Sequence, residues 1–126
     1  MYQDIEYQVN DRIAVISINR PKVLNAIRVQ TYKDIIAALQ SADADDAVSV
    51  IVMTGAEGKF TAGNDLRDLL TDGDLEGVRD GVAGIFDTLG GLEKPLILAQ
   101  EGVAVGIGAN LLLHADLAYA GKSIRY

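Results

Sequence analysis

Three short runs, residues 13–18, 48–54 and 96–100, are apolar at nearly every position, and the chain between them repeats apolar residues at helical spacing. A strand that is apolar on both faces suits a sheet covered on both sides, the habit of parallel sheets with helical crossovers. Val29, Tyr32, Ile35, Ile36 and Leu39 share one stripe, which predicts an amphipathic helix over 28–42. Leu75, Val78, Val82, Ile85, Phe86, Leu89 and Leu92 mark a second helix, in which Gly77, Gly81 and Gly84 each cost roughly 1 kcal/mol against Ala. Those glycines imply either tight packing or mobility. Residues 2–9 form a further strand candidate, joined to the first run by a turn at Asn10-Asp11, where both residue types tolerate turn geometry. Residues 107–114 are expected to be a buried helix and 117–120 a last short strand. The order is strand, strand, helix, strand, loop, helix, strand, helix, strand, which is α/β with a hint of a repeated supersecondary unit.

The chain has 126 residues, one domain's worth, and can bury roughly two-thirds of the surface its unfolded form exposes. Its 49% apolar and 23% charged residues exclude a disordered chain. The net charge of −7 argues against nucleic acid as a partner, yet leaves room for a phosphorylated small molecule held by a few local cations. The lack of cysteine removes disulfides, Cys-ligated zinc and a Cys nucleophile. The first residues show neither a basic nor an apolar signal region, so a cytoplasmic location is expected. The most apolar stretch, 102–120, is interrupted by Asn110, His114 and Asp116. It falls short of the ~20 apolar residues of a membrane span and reads as buried core.

Three segments hold more glycine and polar residues than core strands need: Asn19-Arg20-Pro21-Lys22-Val23-Leu24-Asn25-Ala26, Phe60-Thr61-Ala62-Gly63-Asn64-Asp65-Leu66, and Gly102 through Asn110. Each lies between a strand and a helix, where α/β proteins place ligands. Gly106-x-Gly108 runs into a helix, whose first N–H groups are unpaired and can bind an anion or a carbonyl oxygen gaining charge; close strand–helix packing explains the glycines equally. A dinucleotide fingerprint is excluded, because its third glycine would fall on Leu111. Asp65 can cap a short helix over 65–70. Arg20 and Lys22 can meet phosphates or simply be surface. His114, the one histidine, has no serine elbow to serve and is read as structural; no metal-ligand spacing appears.

Taken together and in order, the segments resemble the crotonase superfamily, the enoyl-CoA hydratase/isomerase group. The matching residues are Asn19-Arg20-Pro21-Lys22-x-Leu24-Asn25-Ala26, Val50-Ile51-Val52-Met53-Thr54-Gly55, Phe60-Thr61-Ala62-Gly63-Asn64-Asp65-Leu66, Lys94-Pro95-Leu96-Ile97, Gly102-Val103-Ala104-Val105-Gly106-Ile107-Gly108 and Ala115-Asp116-Leu117-x-Tyr119-Ala120. The resemblance runs from about Ile13 to Ala120 and implies a spiral of ββα units. Residues 1–126 would be the N-terminal part of a crotonase-like domain that stops early, its last residues, 121–126, lying outside the likeness. It also implies an acyl-CoA thioester as partner, CoA entering as part of the substrate and no separate cofactor. The family's oxyanion hole, two backbone N–H groups that hold the thioester oxygen as an enolate forms, falls on Asn64 and Ile107. Lys22, Leu24 and Ala26 on one loop, Ala62, Gly63, Asn64, Asp65 and Leu66 on another, and Gly106 are the implied CoA-binding residues. Arg20, Arg28 and Arg67 are implied phosphate partners.

Two departures from the family pattern shape the functional expectation: Asn110, and a sequence that ends before the segment expected to carry the family's downstream Glu. Asn110 stands where hydratases carry a catalytic Glu, and an amide is no general base. Asn64-Asp65 and Gly106-Ile107-Gly108 resemble instead the Δ3,Δ2-enoyl-CoA isomerases, which rely on one downstream carboxylate. The expected activity is Δ3 to Δ2 isomerisation, with hydration or other enolate chemistry, or a non-catalytic acyl-CoA-binding or self-associating fragment, as alternatives. Asp68, Asp72 and Asp74 are further carboxylates near the second loop. Uncovered apolar surface predicts a homo-oligomer, which sedimentation would test.

Overall fold

The protein is described by a computed structural model covering residues 2–70 and 73–126. One sheet holds β1 (Ile5–Asn10), β2 (Ile13–Ile18), β3 (Val50–Gly55), β4 (Leu96–Gln100) and β5 (Leu117–Ala120) in that spatial order. β1 and β2 form an antiparallel hairpin, and every later neighbour is parallel. The hairpin turn is Asp11-Arg12, one residue later than expected. Both residues have positive φ, 49° and 67°, the two-residue geometry that follows the twist of the flanking strands.

Two long helices, α1 (Val29–Ala44) and α3 (Leu75–Gly90), pack against each other and bury the inner face of the sheet. That face is the row Ala14, Ile16 and Ile18 on β2, Ile51 and Met53 on β3, and Leu96 and Leu98 on β4, capped by Ile35, Leu39 and Ile85. The expectation of cover on both faces is met on one face only. Val15, Val52 and Ile97 on the other face are partly open, and Leu117 is exposed. The reason is topological: strands laid down in sequential order, each crossover of the same hand, return their helices to the same side.

Gly81 and Gly84 of α3 serve packing. A Cβ on Gly81 would lie 2.6 Å from the Tyr32 ring, and one on Gly84 3.0 Å from Ile36 Cδ1, so α1 approaches closest where α3 has no side chain.

Each turn of chain adds a strand to the sheet and then a short stretch to a second row. Ile27 bridges Asn64, Thr61 bridges Ala104, and Val103 bridges Arg125, all in parallel. This makes the chain a spiral of strand, bridge and helix, with Arg125 carrying the pattern into a fourth turn. The expected helix over 107–114 is instead one α-turn, α4 (Ile107–Asn110), followed by a 3-10 turn, Leu111–His114. It is not buried throughout: Leu111 is fully enclosed, but Leu113 is 84% exposed, and His114 is exposed with its ring 4.7 Å from that of Phe86. β5 is likewise exposed along its length, because it has a neighbour on one side only. No helix of the described residues is long and apolar enough to cross a membrane.

Candidate functional site

Three connecting segments meet at one end of the parallel strands. The 19–28 loop leaves β2 through a 3-10 turn, Pro21–Val23, and reverses at Leu24 and Asn25, both left-handed (φ 55° and 54°). Asn tolerates that conformation better than most residues, and the fully buried Asn25 side chain adds three bonds. Its Oδ1 accepts from Arg20 N, and its Nδ2 donates to Ala56 O and Lys59 O. The 60–65 segment docks onto this loop: Ala62 N donates to Leu24 O at 3.0 Å, and Thr61 Oγ1 to Asn25 O at 2.6 Å. The 103–107 segment docks in turn onto 60–65, with Thr61 N donating to Val103 O and Val105 N to Thr61 O.

This layering places Asn64 and Ile107 side by side. Thr61 and Ala104 are bridge partners, and the two residues lie three positions beyond them on parallel segments. The backbones stay close past the bridge, for a Cβ on Gly63 would lie 2.9 Å from Val105 O and 3.8 Å from Gly106 Cα. The direction of each N–H follows from the carbonyl on the same peptide, since the two point opposite ways in a trans peptide. Gly63 O accepts from Ile27 N at 2.8 Å, so Asn64 N–H points away from Ile27. Gly106 O accepts from Ala109 N and Asn110 N within α4, so Ile107 N–H points out of that turn. Among the described residues neither N–H donates to a protein acceptor. Both preceding glycines have positive φ, 91° at Gly63 and 59° at Gly106, and the latter, with ψ of −120°, is a conformation open to glycine alone. Gly108 serves close packing instead, since a Cβ there would meet Thr61 Cγ2 at 2.8 Å. The single turn of α4 is too short for a sizeable helix dipole, so two orphan N–H groups in register are the feature that matters.

The charged groups around this pair are mostly satisfied internally. Asp65 caps the short helix α2 (Leu66–Leu69) by accepting from Arg67 N. The Arg67 guanidinium on its carboxylate, helped by Arg20, holds its titration well below the usual carboxylate range. Arg20 also donates to Ala26 O, and Arg28 clasps Asp4 through two bonds of 2.7 Å. The three arginines expected to face phosphates therefore each hold a carboxylate. Lys22 is exposed and without an acceptor among the described residues. Asp68 accepts from Val29 N at the start of α1; Asp74 caps α3 through Gly77 N, and Asp72 lies outside the described residues. Asn110 is exposed on α4. Leu24, Leu66, Leu69 and Val105 leave 42–72% of their surface open on the three segments and on α2, apolar surface suited to an organic ligand. No group of three or more metal-ligating side chains occurs among the described residues.

The family model described as enoyl-CoA hydratase/isomerase matches residues 8–126. The chain belongs to the enoyl-CoA hydratase/isomerase family. The match extends past Ala120, the expected end of the likeness, so residues 121–126, expected to lie outside it, fall within it, and Arg125 continues the row of backbone bridges. The chain is similar to the short-chain-enoyl-CoA hydratase of Clostridium acetobutylicum, 35% identical over 118 residues, 91% of this chain and 45% of that one. It is similar also to the crotonyl-CoA hydratase of Syntrophomonas wolfei, 31% identical over 128 residues, 99% of this chain and 49% of that one. Among solved structures, the enoyl-CoA hydratase/isomerase from Pseudoalteromonas atlantica superposes with a TM-score of 0.87 at 31% identity, covering 98% of this chain and 49% of its own. The chain thus spans about half the length of the curated relatives it matches.

Three residues near the site gain no role from the sequence. Tyr32, fully buried on α1, donates its hydroxyl to Asn64 Oδ1, and burial pushes that hydroxyl up to about 12. Gln100, at the end of β4, donates to Gly108 O at 2.9 Å and accepts from the Tyr126 hydroxyl. Asn25 stands within a motif that assigns it nothing to do. Tyr32 is hidden in a helical stripe, and Gln100, a polar residue closing an apolar strand, is the only one with a visible signal.

Proposed function

We propose that this family member binds an acyl-CoA thioester with its carbonyl oxygen between the N–H groups of Asn64 and Ile107, and that the activity served is Δ3 to Δ2 enoyl-CoA isomerisation. The observation that carries the reading is the pair of unpartnered N–H groups, set side by side by parallel register. In the reaction a base removes a C2 proton, the electrons pass to the thioester oxygen, and the resulting dienolate is protonated at C4, moving the double bond from C3–C4 to C2–C3. A donor pair aimed at that oxygen lowers the barrier because negative charge develops there on the way to the dienolate, about 2.7–4 kcal/mol per donor. CoA would lie along Lys22, Leu24 and Ala26 and the 62–66 loop, with Gly106 beneath the thioester. Asp65, which carries two arginines, and Asp68, which holds the start of α1, are engaged elsewhere and do not supply the base.

Hydration is the second reading, favoured by the names of the curated relatives. Asn110 speaks against the two-carboxylate form of it. Product analysis separates the two, because hydration adds one water to the substrate mass and isomerisation leaves it unchanged. The donor pair itself is tested by titrating the protein with octanoyl-CoA and with CoA alone, then repeating with Ile107→Pro. Proline is compatible with the first position of a helix and deletes the N–H in question, and Ile107→Ala, which keeps that N–H while losing the same buried side chain, is the control. The thioester-dependent part of the affinity is expected in the parent and lost in the variant. Equal affinity for octanoyl-CoA and CoA in the parent would refute the reading.

A further inference from the structure

Asn64 is held from two directions. Its backbone is fixed by Ile27, which donates to Gly63 O and accepts from Asp65 N at 2.7 Å. Its side chain is fixed by α1, through the hydroxyl of a tyrosine with no exposed surface. The Tyr32 ring is itself pinned, because Gly81 of α3 approaches it so closely that a Cβ there would overlap the ring. A buried hydroxyl needs a partner, but a core tyrosine could satisfy that need on any nearby carbonyl. Here the acceptor is the carboxamide of the residue whose N–H forms half of the donor pair. The geometry points to Tyr32 as a positioning residue: its hydroxyl holds the Asn64 carboxamide so that the Asn64 N–H stays aligned beside that of Ile107. This rests on the proposed thioester site and adds to it a coupling between the α1–α3 core and the donor loop. With glycine at position 63, φ 91°, the Ile27 bonds hold the Asn64 peptide by themselves once the side-chain tether is cut.

The test compares the parent, Tyr32→Phe, Asn64→Ala and the double variant, each titrated with octanoyl-CoA and with CoA alone. Phenylalanine keeps the ring against Gly81 and removes only the hydroxyl, while Asn64→Ala keeps the backbone N–H and removes only the acceptor. The preference for octanoyl-CoA over CoA is expected to fall about five-fold in Tyr32→Phe, the size of one ordinary hydrogen bond. The affinity for CoA alone should not change. In the Asn64→Ala background, Tyr32→Phe should have no further effect, which a loss of general stability would not produce. A Tyr32→Phe protein that retains the full preference overturns the positioning role and leaves the thioester site standing. So does a five-fold loss that persists in the Asn64→Ala background. A parent that shows no preference overturns the thioester site, and the positioning role with it.

Discussion

Replacing Gly81 by alanine should destabilise the protein, although the same change in an exposed helix stabilises it. The added Cβ would lie 2.6 Å from Tyr32 Cδ2 and Cγ and 2.8 Å from Tyr32 Cβ. Carbon atoms prefer roughly 3.5–4.0 Å, so ring or helix must give by about 1 Å. The ring has little freedom to do so, being wholly buried with its hydroxyl engaged on Asn64. Overpacking of this kind costs about 1–3 kcal/mol, and helix propensity returns about 1 kcal/mol, which leaves a net loss near 1 kcal/mol. Gly90 in the same helix is the control. A Cβ there meets nothing within 4 Å, so Gly90→Ala should gain about 0.5 kcal/mol. Urea unfolding at fixed protein concentration reads both as shifts in midpoint at unchanged slope. A Gly81→Ala protein as stable as the Gly90→Ala protein would refute the claim that close helix contact explains the glycines of α3.

Gly106→Ala meets no atom nearer than 3.9 Å, so its cost is conformational alone, about 1–3 kcal/mol; if the backbone relaxes by turning the peptide, acyl-dependent binding falls more than stability does, which paired titration and urea unfolding would reveal. Asp65 titrates lower in the folded chain than in the unfolded one, so its stabilisation is complete above about pH 4 and drains away as pH falls further. Asp65→Asn should cost about 2 kcal/mol at neutral pH, less than a fully buried pair because Arg20 keeps Ala26 O, and should flatten the acid limb of a pH–stability curve. An acid limb of unchanged slope in that variant would contradict the assignment.

The α/β architecture is legible because its signal is local. Apolar runs such as 48–54 and the stripe from Val29 to Leu39 each report their own element, and the cap at Asp65 is readable from residue type alone. The turn at Asp11-Arg12 lies one residue from its expected place because arginine gives no hint of a positive φ; the pairing of Asn10 with Ile13 decides it. The outer sheet face, Leu113 and His114 read as buried in sequence and are wholly or partly open, since the same apolar side chains suit a covered or an uncovered surface. Asn64 and Ile107 are reached only through family likeness. Their adjacency depends on a bridge between Thr61 and Ala104, forty-odd residues apart in sequence, which no local pattern encodes. For the arginines the opposite holds: their type suggests phosphate, while folding supplies Asp4 and Asp65 as nearer anions.

The spacing between the two donors is a property of counting. Each lies three residues past the same bridge, and each N–H belongs to the backbone, with the Asn64 side chain adding only its tether to Tyr32. Position 107 can therefore present its N–H from other residue types, so long as the backbone keeps its course. The insertion of a single residue between Thr61 and Asn64, or between Ala104 and Ile107, would throw the donors out of step however mild its chemistry. Tolerance here should run against the usual expectation for loops: generous to substitution and strict about length.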